Sequence, residues 1–286
     1  MTPHHTLHLS TRLLPLAMFL AIFSWSCQGT RVETAQTPNK LPTLNKLPSL
    51  EQVLKLSHSR YLSAKSSTQG NSQSDVTLEV KRNHDLILAR REQLEISKEV
   101  KGHFEKAVTQ AEKKFEEGDE NISQSAITKL KLGLAGTLND ISQSNSDIAL
   151  AQLRLEKYLG VRWASQVDIT GPKFQPVDFS YKNVYQFLNS SSADAKSPNE
   201  SQLFDLREAI IEVNKAREQL TLAGKNRKMT RALLVTEAAN YDFGIGGEAE
   251  LFEALIIYTR VLVGYYEAMH TYNVSVYSFH NKYHTQ

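Results

Sequence analysis

The sequence predicts an all-α protein built from long antiparallel helical hairpins of coiled-coil type in two tandem repeats, with little or no β-structure. The 286 residues include only 13 glycines and 8 prolines. Turn-forming residues this sparse do not support the many hairpins of a sandwich, a propeller or a small barrel. Apolar residues recur at every seventh position in two segments, and short motifs of the first half recur in the second.

Composition excludes some classes of partner. Lys and Arg number 33 against 31 Asp and Glu, which gives a formal net charge of +2. Binding to nucleic acid needs a concentrated basic field, so we expect no nucleic-acid partner. Hydrophobic residues make up 41% of the chain and charged residues 22%, which is typical of a globular protein.

The N-terminal residues 1–26 are predicted to be a signal peptide. A short polar stretch ending at Arg12 precedes an apolar run of about 13 residues, which as a helix would reach about 20 Å and so fall short of the ~30 Å membrane core. The chain's single cysteine, Cys27, follows this run directly. The run resembles a bacterial lipoprotein signal, which implies export and acylation of Cys27. Cleavage by ordinary signal peptidase, leaving a free thiol, is the alternative.

The first helical repeat is predicted over residues 47–160, after a Thr-, Pro- and Asn-rich tether at 27–46. Ser49-Leu-Glu-Gln52 is a capping box that starts a short helix. Residues 68–74 interrupt the pattern, and a long helix then runs from about Val76 to Glu117. Gly118-Asp-Glu-Asn121 is a turn, and a second long helix covers 122–159.

Spacing by seven indicates coiled-coil packing in this second helix. The residues that share the spacing are Ile127, Leu134, Ile141, Ile148 and Leu155, and Leu130 and Leu138 are predicted to widen the stripe. Five such repeats are typical of a coiled-coil seam. Helices of about 40 residues, each about 60 Å long, cannot bury such seams alone and need partner helices.

The second helical repeat is predicted over residues 200–286, after a connector at 161–199 that holds Pro172, Pro176 and Pro198 and one short helix near 181–188. A helix to Phe243, a turn at 244–247 and a last helix from Glu248 follow. The last helix again carries spacing by seven, at Leu255, Leu262, Met269 and Val276.

Matches between the halves indicate an internal duplication. Arg91-Glu-Gln-Leu94 recurs as Arg217-Glu-Gln-Leu220, and Phe115-x-x-Gly118 recurs as Tyr241-x-x-Gly244, each displaced by 126 residues. Asp147 falls on Asn273 at this displacement. The apolar seams that follow the two glycines do not superpose.

In this order the motifs resemble the TolC-type outer-membrane efflux family, over roughly residues 47–283. The stretch from Lys113 to Ile122 is similar to the family's first turn, and the stretch from Asn240 to Gly246 to its second. The resemblance implies an exit duct of a bacterial tripartite efflux or type I secretion system. It also implies a homotrimer at the periplasmic side of the outer membrane, working with a periplasmic adaptor (membrane fusion) protein and an inner-membrane pump.

The chain departs from this family in its strands. Family members insert an alternating β-hairpin in each half, and three copies complete a barrel across the outer membrane. A membrane strand needs about 9–11 alternating residues, but Val76–Val80 alternates over only five residues and Val167–Thr170 over only four. Residues 221–230, where the second hairpin is expected, are polar, basic and helical in character. The chain therefore resembles a divergent member without the hairpins.

The resemblance also implies candidate site residues. In the family the turns dock onto adaptor hairpins, and the matching residues here are Gly118, Asp119, Gly244, Ile245 and Gly246. The alternative is that these glycines only end helices. Glu250 and Glu253 match positions of a possible acidic constriction, where a threefold axis would bring six carboxylates together. Without an assembly they are a solvated face, and the same positions of the first half hold Gln124 and Ile127.

No catalytic, cofactor or metal motif is found, so we expect no enzyme and no cofactor. His280 and His284 have the spacing of two ligands on one helix face, but the glutamate of HExxH is missing. Two interpretations remain. One is a lipid-anchored duct component that meets an adaptor at its turns, and the other is a lipid-anchored periplasmic helical scaffold without channel activity. An adaptor protein fits less well, because lipoyl-type and barrel segments are absent.

Overall fold

The computed structural model describes residues 41–64, 72–190 and 198–284, and these residues are predominantly helical. Within them lie six helices and two strands. The helices are α1 (Leu50–Ala64), α2 (Gln73–Glu116), α3 (Gln124–Leu159), α4 (Val184–Ser190), α5 (Glu200–Asp242) and α6 (Glu248–His284); the strands are β1 (Thr43–Lys46) and β2 (Arg162–Asp168). The predicted all-α class is confirmed. Residues 1–40, with the predicted signal peptide, most of the tether and Cys27, lie outside the described residues.

The helices repeat in the order short, long, long. Helices α2 and α5 contain 44 and 43 residues, and α3 and α6 contain 36 and 37. The turn at 117–123 has seven non-helical residues and the turn at 243–247 has five. Equivalent positions are therefore 126 residues apart before the turns and 124 apart after them. The apolar seams of α3 and α6 therefore do not superpose when the halves are displaced by 126 residues. For the same reason Asp147 and Asn273, which are 126 residues apart, are not equivalent.

The four long helices pack in the spatial order α3, α2, α6, α5. Helix α2 packs on both α3 and α6, and α6 packs on both α2 and α5. Helices α3 and α5 are therefore the two edges of the layer. Among the described residues, no helix is both long enough and apolar enough to cross a membrane.

The predicted seams form most of the core. The four residues spaced by seven on α6 are all buried, at 5% exposure or less. On α3, Ile127, Ile148 and Leu155 are buried, and Leu134 and Ile141 are half-buried. The prediction for Leu138 is wrong, because its side chain is 46% exposed.

Caps fix the helix starts. The Ser49 hydroxyl accepts from the Gln52 amide N–H at 3.3 Å and the Gln52 side chain accepts from the Ser49 N–H at 3.0 Å, so the predicted capping box is confirmed. The side chains of Ser72 and Ser123 cap α2 and α3. These bonds satisfy N–H groups that the first helical turn leaves unpaired.

The connector is fastened to both halves. Strand β1, at the end of the predicted tether, pairs in parallel with β2, aligning Thr43 with Arg162. The two arginines of the repeated motif both bind backbone carbonyls of the connector. Arg91 donates to the carbonyls of residues 169 and 172, each at 3.1 Å, and Arg217 donates to those of residues 179 and 181, at 2.6 and 3.2 Å. Arg91 thus holds the part of the connector that follows the first repeat, and Arg217 holds the part that precedes α5.

Candidate functional site: the hairpin tips and the edges of the layer

The first tip is the turn between α2 and α3, which contains the predicted residues Gly118 and Asp119. Gly118 has φ 84°, a left-handed conformation that favours glycine. The Asp119 carboxylate accepts from the backbone N–H of Asn121 at 3.0 Å and from its side-chain amide at 2.9 Å. Both hydrogen bonds lower the pKa of Asp119, and the bond from the backbone N–H has the larger effect. The tip is therefore an ordered turn with an ionised carboxylate.

The second tip is the turn between α5 and α6, which contains Gly244, Ile245 and Gly246. Gly244 has φ 70°, and the carbonyl of Asn240 accepts from the N–H groups of Ile245 at 2.9 Å and Gly246 at 3.0 Å. This closed turn holds Ile245 outward, where its side chain is 80% exposed.

The two tips lie side by side at one end of the layer. The Tyr241 hydroxyl donates to the carbonyl of Ala107 on α2 at 3.3 Å. Lys106 pairs with Asp242 at 2.6 Å. Burial, and after it the nearby Glu248 carboxylate, raises the pKa of Tyr241 to about 12. Contacts between residues more than 100 positions apart thus join the two hairpins.

Lys114 is a second link between the tips. Its ammonium lies 3.9 Å from a carboxylate oxygen of Glu248 and 5.4 Å from the centre of the Tyr241 ring. Glu248 is 8% exposed, so this pair is shielded more than an ordinary surface ion pair. Both hairpins therefore present their turns as one surface.

The joint surface exposes large apolar side chains. Phe243 is 79% exposed and Phe115 is 44% exposed, and both flank the predicted tip residues. In the sequence Phe115 marks only the repeat, and Phe243 was not predicted to belong to the tip. The available signal was their position just before a turn glycine, since Phe243 directly precedes Gly244 and Phe115 lies three residues before Gly118. Exposed apolar residues of this size, gathered at one end of a protein, are typical of an interaction surface.

The predicted acidic pair lies on the first turns of α6. The side chains of Glu250 and Glu253 are exposed, and neither carboxylate lies within 4.0 Å of a cation among the described residues. Because residues after the turns are equivalent at 124 apart, their counterparts in the first repeat are Ala126 and Lys129. The acidic pair is therefore a feature of the second repeat alone.

Both edge helices carry exposed apolar residues. On α5, Phe204, Ile211, Leu222 and Met229 are between 60 and 68% exposed, and Leu233 is 37% exposed. At 100° per residue these five lie within about 40° of one another; we call them the α5 stripe. On α3, Leu132, Leu150 and Leu153 are exposed and lie within about 60°; we call them the α3 face. No packing partner covers either set within the described part of the chain.

The histidine pair does not form a metal site among the residues described. The rings of His280 and His284 lie 6.4 Å apart, centre to centre. No group of three His, Cys, Asp or Glu side chains in the described ranges could hold a metal ion. Burial lowers the pKa of His280.

Structural comparison identifies the type of fold. The structure is similar to that of CusC. The crystal structures of CusC concern the conformational changes that accompany its folding and transmembrane channel formation. The TM-score is 0.56 and the identity 11%, over 82% of this chain and 73% of that one. This likeness shows a shared fold. Sequence comparison finds neither a matching family model nor a matching curated protein.

Proposed function

We propose that this protein is an outer-membrane-factor-like component of a bacterial efflux or type I secretion system. In this proposal copies of the chain form a periplasmic helical duct, and the joint tip surface docks an adaptor protein that connects to an inner-membrane pump. The fold shared with CusC and the order of the sequence motifs support the class of protein.

The observation that carries the proposal is the unfilled place at each edge of the layer. Within the chain, α2 of the first repeat packs on α6 of the second. The duplication makes α5 equivalent to α2 and α3 equivalent to α6. The equivalent contact is therefore α5 against α3, and one chain does not make it because the two helices lie at opposite edges. A neighbouring copy can supply it, and a head-to-tail contact of this kind builds a ring.

The apolar residues of the two edges match in height above the tips. Leu132 lies eight residues from the start of α3 and Leu233 nine residues from the end of α5, which places both about 12–14 Å from the tips. Burial stabilises each large apolar side chain by about 1.5–3 kcal/mol relative to exposure. Burial of the α5 stripe and the α3 face would therefore stabilise the contact. The resemblance to the TolC-type family implies three copies.

Engineered disulfides test the ring. We expect the double variant Leu132→Cys/Leu233→Cys to give cross-linked dimers and trimers on mild oxidation, because the proposed contact brings α3 and α5 of adjacent copies together. The control is Leu132→Cys/Val235→Cys, since Val235 has nearly the same height but lies on another face of α5 and is 62% exposed. Both variants retain Cys27, so Leu132→Cys alone measures the background. Equal cross-linking in test and control would refute this arrangement.

Photo-cross-linking in the native bacterium tests the docking role. A photoreactive residue at Ile245 is expected to capture a periplasmic protein with a helical hairpin and the architecture of an adaptor. The control position is Tyr185, which is 55% exposed and lies in α4, away from the tips. Capture of the same adaptor from both positions, or of no adaptor from Ile245, would contradict docking at the tips.

A further inference from the structure

A basic groove lies along α5 and α6, apart from the tips and from the α5 stripe. It has a volume of about 680 Å³. Three cations on α5 line it, Arg227, Lys228 and Arg231. This groove plays no part in the ring or in docking, so the inference drawn from it does not depend on the proposed function.

The charged residues of this part of α5 are all positive. Residues 219–236 contain four cations, those three and Lys225, and no Asp or Glu. Elsewhere in the described residues the cations of the long helices frequently pair with carboxylates, as Arg90 does with Asp147 at 2.8 Å. None of the four cations lies within 4.0 Å of a carboxylate in the described part of the chain. Like charges on one helix face repel, so an anion bound in the groove would reduce the repulsion among these cations.

Aromatic residues hold two of the guanidinium groups in place without neutralising them. The Arg227 guanidinium lies 4.6 Å from the centre of the Tyr265 ring. An N–H of Arg231 donates to the Tyr258 hydroxyl at 3.5 Å. Both contacts leave further N–H groups available to a ligand, since each guanidinium has five.

Two carboxylates of α2 lie near tyrosines of this region, Tyr258 and Tyr266. Glu99 accepts from the Tyr258 hydroxyl at 2.8 Å, and Glu92 raises the pKa of Tyr266, after the larger effect of burial. No residue of α2 lines the groove, so these carboxylates are not among the groups that a ligand in the groove would contact.

The remaining lining is apolar or carries a hydroxyl. Val235 and Leu262 provide apolar surface, and Thr236 and Tyr266 provide hydroxyl groups. A ligand pocket of this size usually combines apolar walls with a few polar groups that fix orientation. The ring of Tyr266 offers a flat surface next to the cations.

We propose that this groove binds an organic anion, with its acidic group on Arg227, Lys228 and Arg231 and its apolar body against Val235, Leu262 and the Tyr266 ring. A sulfonate, carboxylate or phosphate provides the acceptor oxygens that guanidinium groups bind in a charge-assisted manner. The apolar body distinguishes this ligand from a simple inorganic anion.

Binding of naphthalene-2-sulfonate to the full-length protein tests the proposal, by calorimetric titration at low salt. Saturable binding is expected, and the variant Arg227→Gln/Lys228→Gln/Arg231→Gln is expected to bind at least tenfold more weakly. Affinity of the unmodified protein is expected to fall as salt rises, because the contacts are electrostatic. Uncharged 2-naphthol at pH 7 is expected to bind at least tenfold more weakly than the sulfonate.

The matched control removes three exposed cations of α3 and α5 outside the groove, Lys129→Gln/Arg154→Gln/Arg207→Gln. It loses the same formal charge and is expected to bind the sulfonate within threefold of the unmodified protein. Circular dichroism of both triple variants confirms that they are folded. The proposal is overturned if the groove variant binds as well as the control, if 2-naphthol binds as tightly as the sulfonate, or if no binding occurs up to millimolar probe.

Discussion

Alkaline titration of Tyr241 is expected to weaken the junction of the two tips. Its pKa is raised from 10.0 to about 12, so the neutral phenol is favoured in the folded protein. Because the pKa of Tyr241 is higher in the folded protein than in the unfolded chain, the neutral phenol stabilises the fold. This stabilisation is fully present below pH 10 and is lost as the pH rises through 12. A shift of about two units corresponds to about 2.7 kcal/mol, of which about 2 kcal/mol is lost by pH 12.

The variant Tyr241→Phe isolates this contribution. It loses the hydroxyl that donates to the Ala107 carbonyl, and its stability no longer depends on ionisation at this position. The free energy of unfolding, from urea titrations followed by helical circular dichroism, is expected to differ between native protein and variant at pH 9. Between pH 9 and pH 12 the native protein is expected to lose about 2 kcal/mol of its free energy of unfolding relative to the variant.

The control variant is Tyr185→Phe, which changes an exposed side chain and is expected to stay within about 0.5 kcal/mol of the native protein at pH 9. The reasoning is refuted if the stability difference between native protein and Tyr241→Phe is the same at pH 9 and pH 12. Such a result would mean that the phenol at the tip junction ionises as readily in the folded protein as in the unfolded chain.

Three further predictions concern the connector and the end of the layer opposite the tips. Gly160→Ala is expected to lower stability by about 1–2 kcal/mol, because Gly160 has φ 64° and a residue with a side chain is strained in this left-handed conformation; urea titration measures it, and an unchanged midpoint would contradict it. Tyr277→Phe removes the hydroxyl that donates to the buried Asp85 carboxylate at 2.9 Å and is expected to cost about 1.5–3 kcal/mol, seen as a melting point lower by at least 3 °C; no shift would show that this bond contributes nothing net. Arg217→Gln frees the connector carbonyls and is expected to speed limited proteolysis within residues 173–183 severalfold, with cleavage at the native rate as the contrary result.

Much of the fold could be predicted because its signals are local. The capping box at Ser49 and the glycines at 118 and 244 mark helix ends through bonds to residues a few positions away. Predicted and observed ends of the long helices therefore agree within about three residues. The repeat was visible because α2 and α5 both retain the Arg-Glu-Gln-Leu motif, in which Arg91 and Arg217 each bind backbone carbonyls of the connector.

Leu138 shows where the pattern of large apolar residues misleads. Leu138 lies eight residues after the buried Leu130, which turns its side chain about 80° away from that buried position. Thr137 and Ser144 are buried there instead, at 4% and 7% exposure. Spacing rules that count only large apolar residues do not find such positions.

The joint tip surface was predicted only in part. Gly118 and Gly244 could be assigned to turns, but the contact of Tyr241 with Ala107 joins residues 134 positions apart and has no local signal. The strand at residues 43–46 was missed for a related reason, because its partner β2 lies more than 100 residues away. Tertiary partners of this kind follow from the packing of the whole layer.

Single-channel conductance of the detergent-extracted, full-length protein in planar bilayers is the measurement that best distinguishes a duct from a scaffold. We predict discrete conductance steps, which would show that the assembled copies complete a pore although the sequence predicts none of the family's alternating hairpins. The cross-linked variant Leu132→Cys/Leu233→Cys is expected to retain these steps, because its disulfides join copies already in contact. A well-folded sample that stays electrically silent would contradict the duct, and it would favour a membrane-tethered helical scaffold that carries the same fold without transport.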